Sequence, residues 1–372
     1  MKGVACVVSG QNIPHIEVLL HLNPARIALL ETDVMRRYRR GDDMLEALEL
    51  AGIGGETVCG RYRVERQDEP GATIRAMLRV MREHDYCEWS AVIAGGTKPM
   101  AIGLWEALAD SGGAVYYVDA ASPEVLVDLR TGRRETLERR VSLRVFLRSY
   151  GFSVGTCRQT RHWERMADVA RRVALLDAPV FLESMADEGV RWPPNAPAAL
   201  IKNLERAFGA GVNSAAEVGA EARRFLSGQW LEIFVWSLLA RHAKAVGIRD
   251  VEGALQTVHR RSRVRNEIDI ACMGRDGLLV FECKTSANRL DAALYKLEAV
   301  IGQFRALAVR SVLVAAGLRR DGEMLGALRR RAQHLGCHVV GHDEIVALAR
   351  KPDSARLVER ILLPPRRERG TA

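Results

Sequence analysis

The sequence lacks any C-x-x-C pair, and its seven cysteines are an odd number. Cys6, Cys272, Cys283 and Cys337 fall in apolar, strand-like runs, as small buried residues of a reducing compartment do. No apolar run reaches the ~18 residues needed to span a bilayer, and the first residues lead into a strand and a turn instead of a signal peptide. These absences argue against a disulfide framework and a membrane anchor and predict a cytoplasmic location.

The composition is that of a soluble globular protein, with 48% hydrophobic and 27% charged residues. The chain of 372 residues is long enough for two domains. Lysine and arginine outnumber aspartate and glutamate by 55 to 46, which gives a formal net charge of +9. This excess favours polyanionic partners such as nucleic acid, although a genome of high GC content, which favours arginine, would explain it equally well.

Two neighbouring strands are predicted to bring acidic side chains together. The segment N-E-I-D-I (266–270) is followed by the turn sequence G-R-D-G and then by F-E-C-K (281–284). A hairpin turn folds the second strand back on the first. Residues two apart in a strand point to the same face, so Glu267 and Asp269 share one side of their strand, and Glu282 and Lys284 share one side of theirs.

Converged oxygen ligands bind hard divalent cations, which activate water and neutralise charge on a phosphate. We therefore expect a metal site formed by Asp269, Glu282 and Glu267, with the backbone carbonyl of Cys283 as a further ligand. Lys284 would hold the attacking water or the phosphate oxygens. This arrangement predicts a nuclease, although each acid by itself could be a solvated strand residue.

A charged residue in an apolar helix also points to this site. The helix predicted from Glu221 carries Trp230, Glu232 and Trp236, and a carboxylate on such a buried face needs a partner or a function. We expect Glu232 to support the metal site.

Arginines precede the acids at positions 260, 261, 263 and 265. If they alternate on a strand, they would present one basic face to a phosphate backbone. The alternative is an ordinary exposed strand face.

The first 120 residues alternate between strands and helices. Strands are predicted at 4–9, 26–31, 91–94 and 114–119, and helices at 16–22, 33–50, 72–83 and 100–109. This rhythm predicts a doubly wound parallel sheet, whose ligands bind outside the carboxyl ends of the strands. A hairpin over 125–137 would close the domain.

Two loops occupy that edge of the predicted sheet. In G-G-T-K the spacing of a Walker A motif is absent, but Gly95 and Gly96 let backbone N–H groups approach an anion at a helix N-terminus. Thr97 can donate a hydrogen bond and Lys98 adds positive charge. The alternative is a plain strand-to-helix turn.

The other loop, S-G-Q-N-I-P, begins at Ser9 and Gly10 and faces the same edge. Gln11 and Asn12 each offer a donor and an acceptor, as recognition of an adenine edge requires.

The remaining chain divides into a connector and a second α/β unit. Residues 141–220 are predicted to be mostly helical. Strands at 254–259, 264–273 and 278–285 precede a helix (290–308), a strand (311–316), a helix (323–335) and a strand (337–340). The expected parts are a ligand-binding domain (1–140), a connector (141–220) and a restriction-endonuclease-like domain (221–372).

These motifs resemble a known family. S-x-Q-x-x-P, A-G-G-T-K-P-M and Y-Y-V-D resemble the CARF domain (CRISPR-associated Rossmann fold). G-Q-W-L-E, N-E-I-D-I, F-E-C-K-T and Y-K-L-E resemble the PD-(D/E)xK nuclease domain of CARF-fused ancillary nucleases of type III CRISPR systems. The matches lie at both ends of the chain and in the same order as in that family.

The resemblance implies a homodimer that binds one cyclic oligoadenylate, expected to be cyclic tetra-adenylate, and then cuts single-stranded DNA, RNA or both with Mn²⁺ or Mg²⁺. Its activator site would comprise Ser9, Gly10, Gln11, Asn12, Gly95, Gly96, Thr97 and Lys98. Its nuclease site would comprise Glu267, Asp269, Glu282, Lys284 and Glu232.

Two other functions remain open from the sequence. One is an unregulated restriction- or repair-type nuclease whose N-terminal domain only dimerises. The other is a ligand-sensing regulator that binds DNA and does not cut it, against which the intact Asp269, Glu282 and Lys284 argue.

Overall fold

The chain forms two compact units, one of residues 1–154 with 258–264 and one of residues 155–257 with 265–372. The computed structural model describes residues 1–119, 122–138, 141–155, 160–175, 198–208, 220–275, 277–286, 290–304, 309–318 and 323–363. Among the helices of these ranges, none combines the length and apolarity needed to cross a bilayer.

The N-terminal unit is built on one sheet with helices connecting its parallel strands. Its strands are β1 (Lys2–Val7), β2 (Arg26–Thr32), β3 (Val58–Val64), β4 (Glu88–Val92), β5 (Val115–Val118), β6 (Val125–Asp128) and β7 (Arg134–Thr136), followed by the short β8 (Phe152–Val154). Its helices are α1 (Ile13–Leu22), α2 (Asp33–Arg37), α3 (Arg40–Leu50), α4 (Pro70–Glu83), α5 (Lys98–Ala107) and α6 (Leu143–Ser149).

The strand order is β3-β2-β1-β4-β5-β6-β7. The strands from β3 to β5 pair in parallel, and β6 and β7 add an antiparallel hairpin. The doubly wound sheet and the closing hairpin are thus confirmed. The order reverses between β1 and β4, and such a reversal opens a ligand crevice at the carboxyl ends of the two strands.

Two elements of this unit differ from the prediction. β3 was not predicted, because V-C-G-R-Y-R-V mixes glycine and arginines into an edge strand and only two of its residues are buried. The single helix predicted over 33–50 is two helices, because Arg39 between them has a left-handed backbone with φ of 51°.

The C-terminal unit has a five-stranded run in the order β13-β12-β11-β10-β9. Its strands are β9 (Asp250–His259), β10 (Arg265–Gly274), β11 (Gly277–Lys284), β12 (Val309–Ala315) and β13 (Cys337–Val340). Its described helices are α7 (Thr160–Ala174), α8 (Ala198–Phe208), α9 (Ala220–Arg224), α10 (Trp230–Val246), α11 (Leu290–Gly302), α12 (Glu323–His334), α13 (His342–Arg350) and α14 (Ala355–Leu362).

The strands and helices predicted after residue 221 are present, except that the long helix predicted from Glu221 is interrupted by the π-helical turn Phe225–Gln229 and its apolar part begins at Trp230. Helices α13 and α14 were not predicted. The predicted helix over 290–308 ends at Gly302, and residues 305–308 lie outside the described part. Helices α6, α7 and α8 fall in the predicted connector (141–220). Much of the remaining connector lies outside the described residues.

Helix α10 is the centre of the second core. It is apolar nearly all round, as a helix buried on most sides must be. Phe234 and Leu239 are almost fully buried in one cluster with Phe281 of β11. Trp236 meets Trp163 of α7 edge to face, with ring centroids 5.8 Å apart. This packing fixes the start of α10 beside the strands that carry the acids.

The tip of the β9–β10 hairpin, residues 258–264, belongs to the N-terminal unit. Arg260 forms an ion pair with Glu46 of α3. The guanidinium of Arg261 lies over the ring of Tyr38, 4.5 Å from its centroid. The turn between β9 and β10 is thus part of the N-terminal unit, although the residues on either side of it in the sequence belong to the C-terminal unit.

Candidate functional site

The hairpin of β10 and β11 brings Asp269 next to Glu282. The two strands are antiparallel, and the register pairs Ile270 with Phe281. Asp269 and Glu282 come one position beyond that pair. The backbone N–H of Cys283 donates to Oδ2 of Asp269 at 2.7 Å, which fixes the aspartate against β11. The predicted hairpin and the meeting of these two acids are confirmed.

Glu282 is buried, with 2% of its surface exposed. Burying a carboxylate is costly unless it is paired. Nζ of Lys284 lies 2.7 Å from Oε1 of Glu282. Although burial by itself would lower the pKa of Lys284, the charges of Glu282 and Asp269 raise it, so this lysine stays protonated.

A second lysine, Lys296 of α11, completes the pairing. Its Nζ lies 2.9 Å from Oε1 and 2.7 Å from Oε2 of Glu282. The sequence analysis did not assign a role to Lys296. The available signal was its place in Y-K-L-E, one of the segments that resemble the nuclease family, on the helix that follows the E-x-K strand.

Glu232 lies in the first turn of α10, close enough to the acids of β10 and β11 to interact with their charges. Burial, and next the charges of Asp269 and Glu267, raise its pKa to about 8. The segment before it, Phe225–Gln229, is a π-helical turn, a feature often found at functional sites. The hydroxyl of Thr285, next to Lys284, donates to the carbonyl of Ser227 in that turn at 3.1 Å. This contact ties the start of α10 to the end of β11.

Asp269 also carries an altered proton affinity. Burial and then the neighbouring charge of Glu282 raise its pKa to about 6, against the opposing effect of the Cys283 N–H. Glu267, two residues earlier, is exposed. It contributes to the field at Glu232 and lies at the rim of the acidic group.

The residues present suit one divalent cation that keeps part of its water shell. Asp269, Glu282 and the carbonyl of Cys283 are hard oxygen donors of the kind that Mg²⁺ and Mn²⁺ take. Within the described residues, no three acidic, histidine or cysteine side chains are already gathered around one point as a complete metal cage. Two carboxylates with water and substrate oxygens are nevertheless a usual coordination for Mg²⁺.

The arginines before β10 do not alternate on a strand. Arg260, Arg261 and Arg263 lie in the turn between β9 and β10, and only Arg265 belongs to a strand. The expectation of one basic strand face is wrong, because Arg263 adopts a left-handed backbone with φ of 58° and the chain turns there.

The two loops of the N-terminal unit meet at the switch point between β1 and β4. A Cβ added to Gly95 would lie 2.6 Å from Cε1 of His15 and 2.7 Å from Oγ of Ser9. Glycine at position 95 is therefore required by the close approach of the two loops. Gly96 follows with φ of +84°, a backbone that favours glycine.

Thr97 caps α5. Its side-chain oxygen accepts from the N–H of Met100 and donates to the carbonyl of Gln67 at 2.5 Å. Lys98, the first residue of α5, is exposed. An exposed cation at the N-terminus of a ten-residue helix is a suitable place for a phosphate.

In the first loop, the side chain of Asn12 is used internally. The N–H of Ser9 donates to Oδ1 of Asn12 at 2.9 Å, and Asn12 is 1% exposed. The hydroxyl of Ser9 donates to the carbonyl of Gln11 at 3.0 Å. Gln11 and Gly10 are exposed, so Gln11 is the amide of this loop that faces solvent, and Asn12 shapes the loop.

His15 of α1 was missed by the sequence analysis. It is fully buried beneath Gly95, and both of its ring nitrogens lack a hydrogen-bond partner. Burial lowers its pKa to about 4, so the ring is neutral. Its position on the apolar face of a short helix gave no sign that it borders the crevice.

The fold and the paired sites define a class of protein in which a Rossmann-type ligand-binding domain is fused to a PD-(D/E)xK-type nuclease. Residues 4–146 match the family model of the Card1 CARF domain. Residues 219–354 match that of the Card1-like endonuclease domain. The chain therefore belongs to the CARF-fused nucleases of type III CRISPR systems, and it is an enzyme.

Solved structures share this fold. Can2 from Sulfobacillus thermosulfidooxidans, in complex with cyclic tetra-adenylate, is 19% identical with a TM-score of 0.73, over 96% of this chain and 99% of that one. Protein VC1899 from Vibrio cholerae is 18% identical with a TM-score of 0.76, over 96% and 98%. A type III CRISPR defence DNA nuclease activated by cyclic oligoadenylate is 20% identical with a TM-score of 0.53, over 88% and 51%. No curated protein matches the chain in sequence.

Proposed function

We propose that this protein is a metal-dependent nuclease that cuts single-stranded DNA or RNA when its CARF domain binds a cyclic oligoadenylate. The observation that carries the proposal is the buried Glu282, flanked by Asp269 and held by Lys284. Buried acids packed side by side, with the pKa of Asp269 raised to about 6 by burial and then by the charge of Glu282, are typical of a functional site that takes a cation.

The residues take separate roles in cleavage. Asp269, Glu282 and the carbonyl of Cys283 would hold a Mn²⁺ or Mg²⁺ ion, with Glu267 reaching in from the rim. When bound, the ion lowers the pKa of water and neutralises charge that develops on the phosphate. Lys284 donates to a phosphate oxygen or orients the attacking water. Glu232, whose pKa is about 8, can accept or return a proton near neutral pH.

The crevice between β1 and β4 suits the phosphates of the activator. Lys98 and the backbone N–H groups of Gly95, Gly96 and Thr97 would bind phosphate at the start of α5, while Gln11 reads a base edge. Can2, which shares the fold, was solved with cyclic tetra-adenylate, and we propose the same ring size here. Ser9, Gly10 and Asn12 give the facing loop its shape.

We further propose a homodimer. A cyclic tetranucleotide of identical units is compatible with a two-fold axis, and a two-fold dimer presents the same loops twice. One activator would then contact both copies of Lys98. Sedimentation analysis with and without cyclic tetra-adenylate tests this arrangement, and a monomer that binds the activator one to one would exclude it.

The deciding experiment measures cleavage of labelled single-stranded DNA and RNA. Wild type is assayed with Mn²⁺, Mg²⁺ or a chelator, each with and without cyclic tetra-adenylate. We expect cleavage only when metal and activator are both present. Activity without the activator would support the unregulated nuclease instead, and binding without cleavage would support the regulator.

Variants assign the two sites. Glu282→Gln should reduce cleavage by a factor on the order of 10³ while activator binding is kept, because several kcal/mol of charge stabilisation is lost. The exposed Glu298→Gln on α11 is its control. Lys98→Glu should lose the response to activator, whereas Lys2→Glu at the opposite edge of the sheet should keep it. A Glu282→Gln protein that still cuts would disprove the site assignment.

A further inference from the structure

Two ammonium groups share one buried carboxylate at the nuclease site. Lys296 contacts both oxygens of Glu282, at 2.9 and 2.7 Å. Lys284 contacts Oε1 at 2.7 Å. A carboxylate offers about four lone-pair positions, so these contacts occupy most of the capacity of Glu282. A cation that takes Glu282 as a ligand would compete with the two lysines for its oxygens, and their positive charges would oppose its approach.

Lys296 is the lysine better placed to leave. Lys284 lies on the same strand as Glu282, two residues away, and is held on the same face by the strand itself. Lys296 reaches over from α11 on a flexible four-carbon stem, and its side chain is 42% exposed. It can therefore move without any change in the backbone of β11.

The charges of the group favour the same exchange. The carboxylates of Glu232, Glu267, Asp269 and Glu282, with the two lysines, leave a formal charge of −2 when all are ionised. One divalent cation would neutralise that charge. Lys296, no longer on Glu282, would remain close to the acids without its carboxylate acceptor, and an oxygen of the substrate phosphate would accept its N–H groups instead.

We propose that Lys296 occupies the cation's place on Glu282 and, once displaced, binds a non-bridging oxygen of the substrate phosphate. The inference rests on the proposed metal-dependent cleavage at Glu282 and adds a second lysine to it. Lys296 is thus both a competitor of the cation before catalysis and a catalytic residue afterwards.

The test uses Lys296→Met, which keeps the length of the side chain and removes the charge, and Lys296→Gln as a second neutral variant. Lys351→Met, at an exposed lysine after α13, is the control. Mn²⁺ affinity is measured on the full chain without nucleic acid, from the paramagnetic resonance of free Mn²⁺. Cleavage is measured at saturating Mn²⁺ and activator.

The two measurements should move in opposite directions. Loss of the competing charge should tighten Mn²⁺ binding by about tenfold. Loss of the phosphate contact should slow cleavage by about 100-fold, the usual effect of removing one donor to a developing anion. Lys296→Arg, which keeps the charge, should recover Mn²⁺ affinity close to wild type and part of the cleavage rate.

Weaker or unchanged Mn²⁺ binding in both neutral variants would overturn the proposal, and if cleavage fell as well Lys296 would be a structural residue only. Tighter Mn²⁺ binding with unchanged cleavage would also overturn it, because the phosphate contact would be absent. Failure of the underlying function is separately visible, since wild type would then cut in chelator or Glu282→Gln would cut as fast as wild type.

Discussion

Replacing Glu232 with glutamine should change how the stability of the protein depends on pH. Burial, followed by the charges of Asp269 and Glu267, raises the pKa of Glu232 to about 8, well above the ~4.3 that is usual for glutamate. In metal-free protein the folded chain therefore holds a proton at neutral pH that the unfolded chain has released. Glutamine keeps the size and the hydrogen-bonding groups of the protonated acid and cannot ionise.

Whether stability rises or falls with pH depends on how many protons the folded and unfolded states bind. Below about pH 4.5 both states are protonated and Glu232 favours neither. As the pH rises from there to about 8, the folded state binds more protons than the unfolded state, so the free energy of unfolding falls. A pKa difference of this size corresponds to about 5 kcal/mol, and water entry into the site reduces the loss to roughly 2–5 kcal/mol.

The assay is urea unfolding in chelator at pH 5, 7 and 9, followed by intrinsic tryptophan fluorescence, to which Trp230 and Trp236 of the same helix contribute. Wild type should lose stability across this range, and Glu232→Gln should lose much less. The control is Glu359→Gln, an exposed acid of α14 that should follow wild type. Mn²⁺ favours the ionised acids, so it should flatten the wild-type profile and release protons when it binds.

Parallel pH profiles of wild type and Glu232→Gln would refute the reasoning, because Glu232 would then not be the group that retains the proton. A variant that is less stable at every pH by a constant amount would also refute it. That result would indicate a packing role for the side chain without coupling to the neighbouring acids.

Two further substitutions test the N-terminal unit. Gly95→Ala places a Cβ 2.6 Å from His15 and 2.7 Å from Ser9, and overpacking of this kind costs about 1–3 kcal/mol, so thermal unfolding should shift downward and calorimetry should show weaker activator binding. Unchanged stability and affinity would mean that the loops separate freely. Arg61→Met should cost about 1–3 kcal/mol, because the fully buried Glu31 loses two hydrogen bonds of 2.8 and 2.9 Å and keeps only the longer ion pair with Arg36, at 3.5 Å. The double variant with Glu31→Gln should regain most of that loss in chemical denaturation, and a double variant no more stable than Arg61→Met would contradict the buried-charge explanation.

The parts of the fold that were predictable are those with a strong local pattern. β1 and β2 are continuous buried runs, and the acids of β10 and β11 were paired correctly because a two-residue period and a glycine turn determine the register. β3 carries arginines and glycine at an edge of the sheet, where burial no longer dictates composition. The break at Arg39 is a left-handed residue that is not glycine, and such a residue leaves little trace in a sequence.

In the candidate sites, too, the residues that could be predicted are those placed by a local sequence pattern. The proximity of Asp269, Glu282 and Lys284 could be predicted because spacing within a strand determines which side chains share a face. Lys296 joins them from a separate helix, through a tertiary contact that no local spacing encodes. Asn12 had the composition of a base-reading residue, but its amide is used by the loop itself. Side-chain direction, unlike strand register, depends on the packing of the whole unit.

The hairpin tip at 258–264 has a consequence for how such proteins diversify. The residues that interact with α3 and Tyr38 are separated from the rest of their compact unit by about a hundred positions of chain. A genetic exchange at a single junction would replace Glu46 and Tyr38 but leave Arg260 and Arg261 unchanged. Viable hybrids would require two exchanges, or a later matching substitution on one side. The segments on either side of such a junction must therefore be inherited together or adapt to each other. We expect substitutions at positions 46 and 260 to be correlated among related sequences, because these two residues form an ion pair.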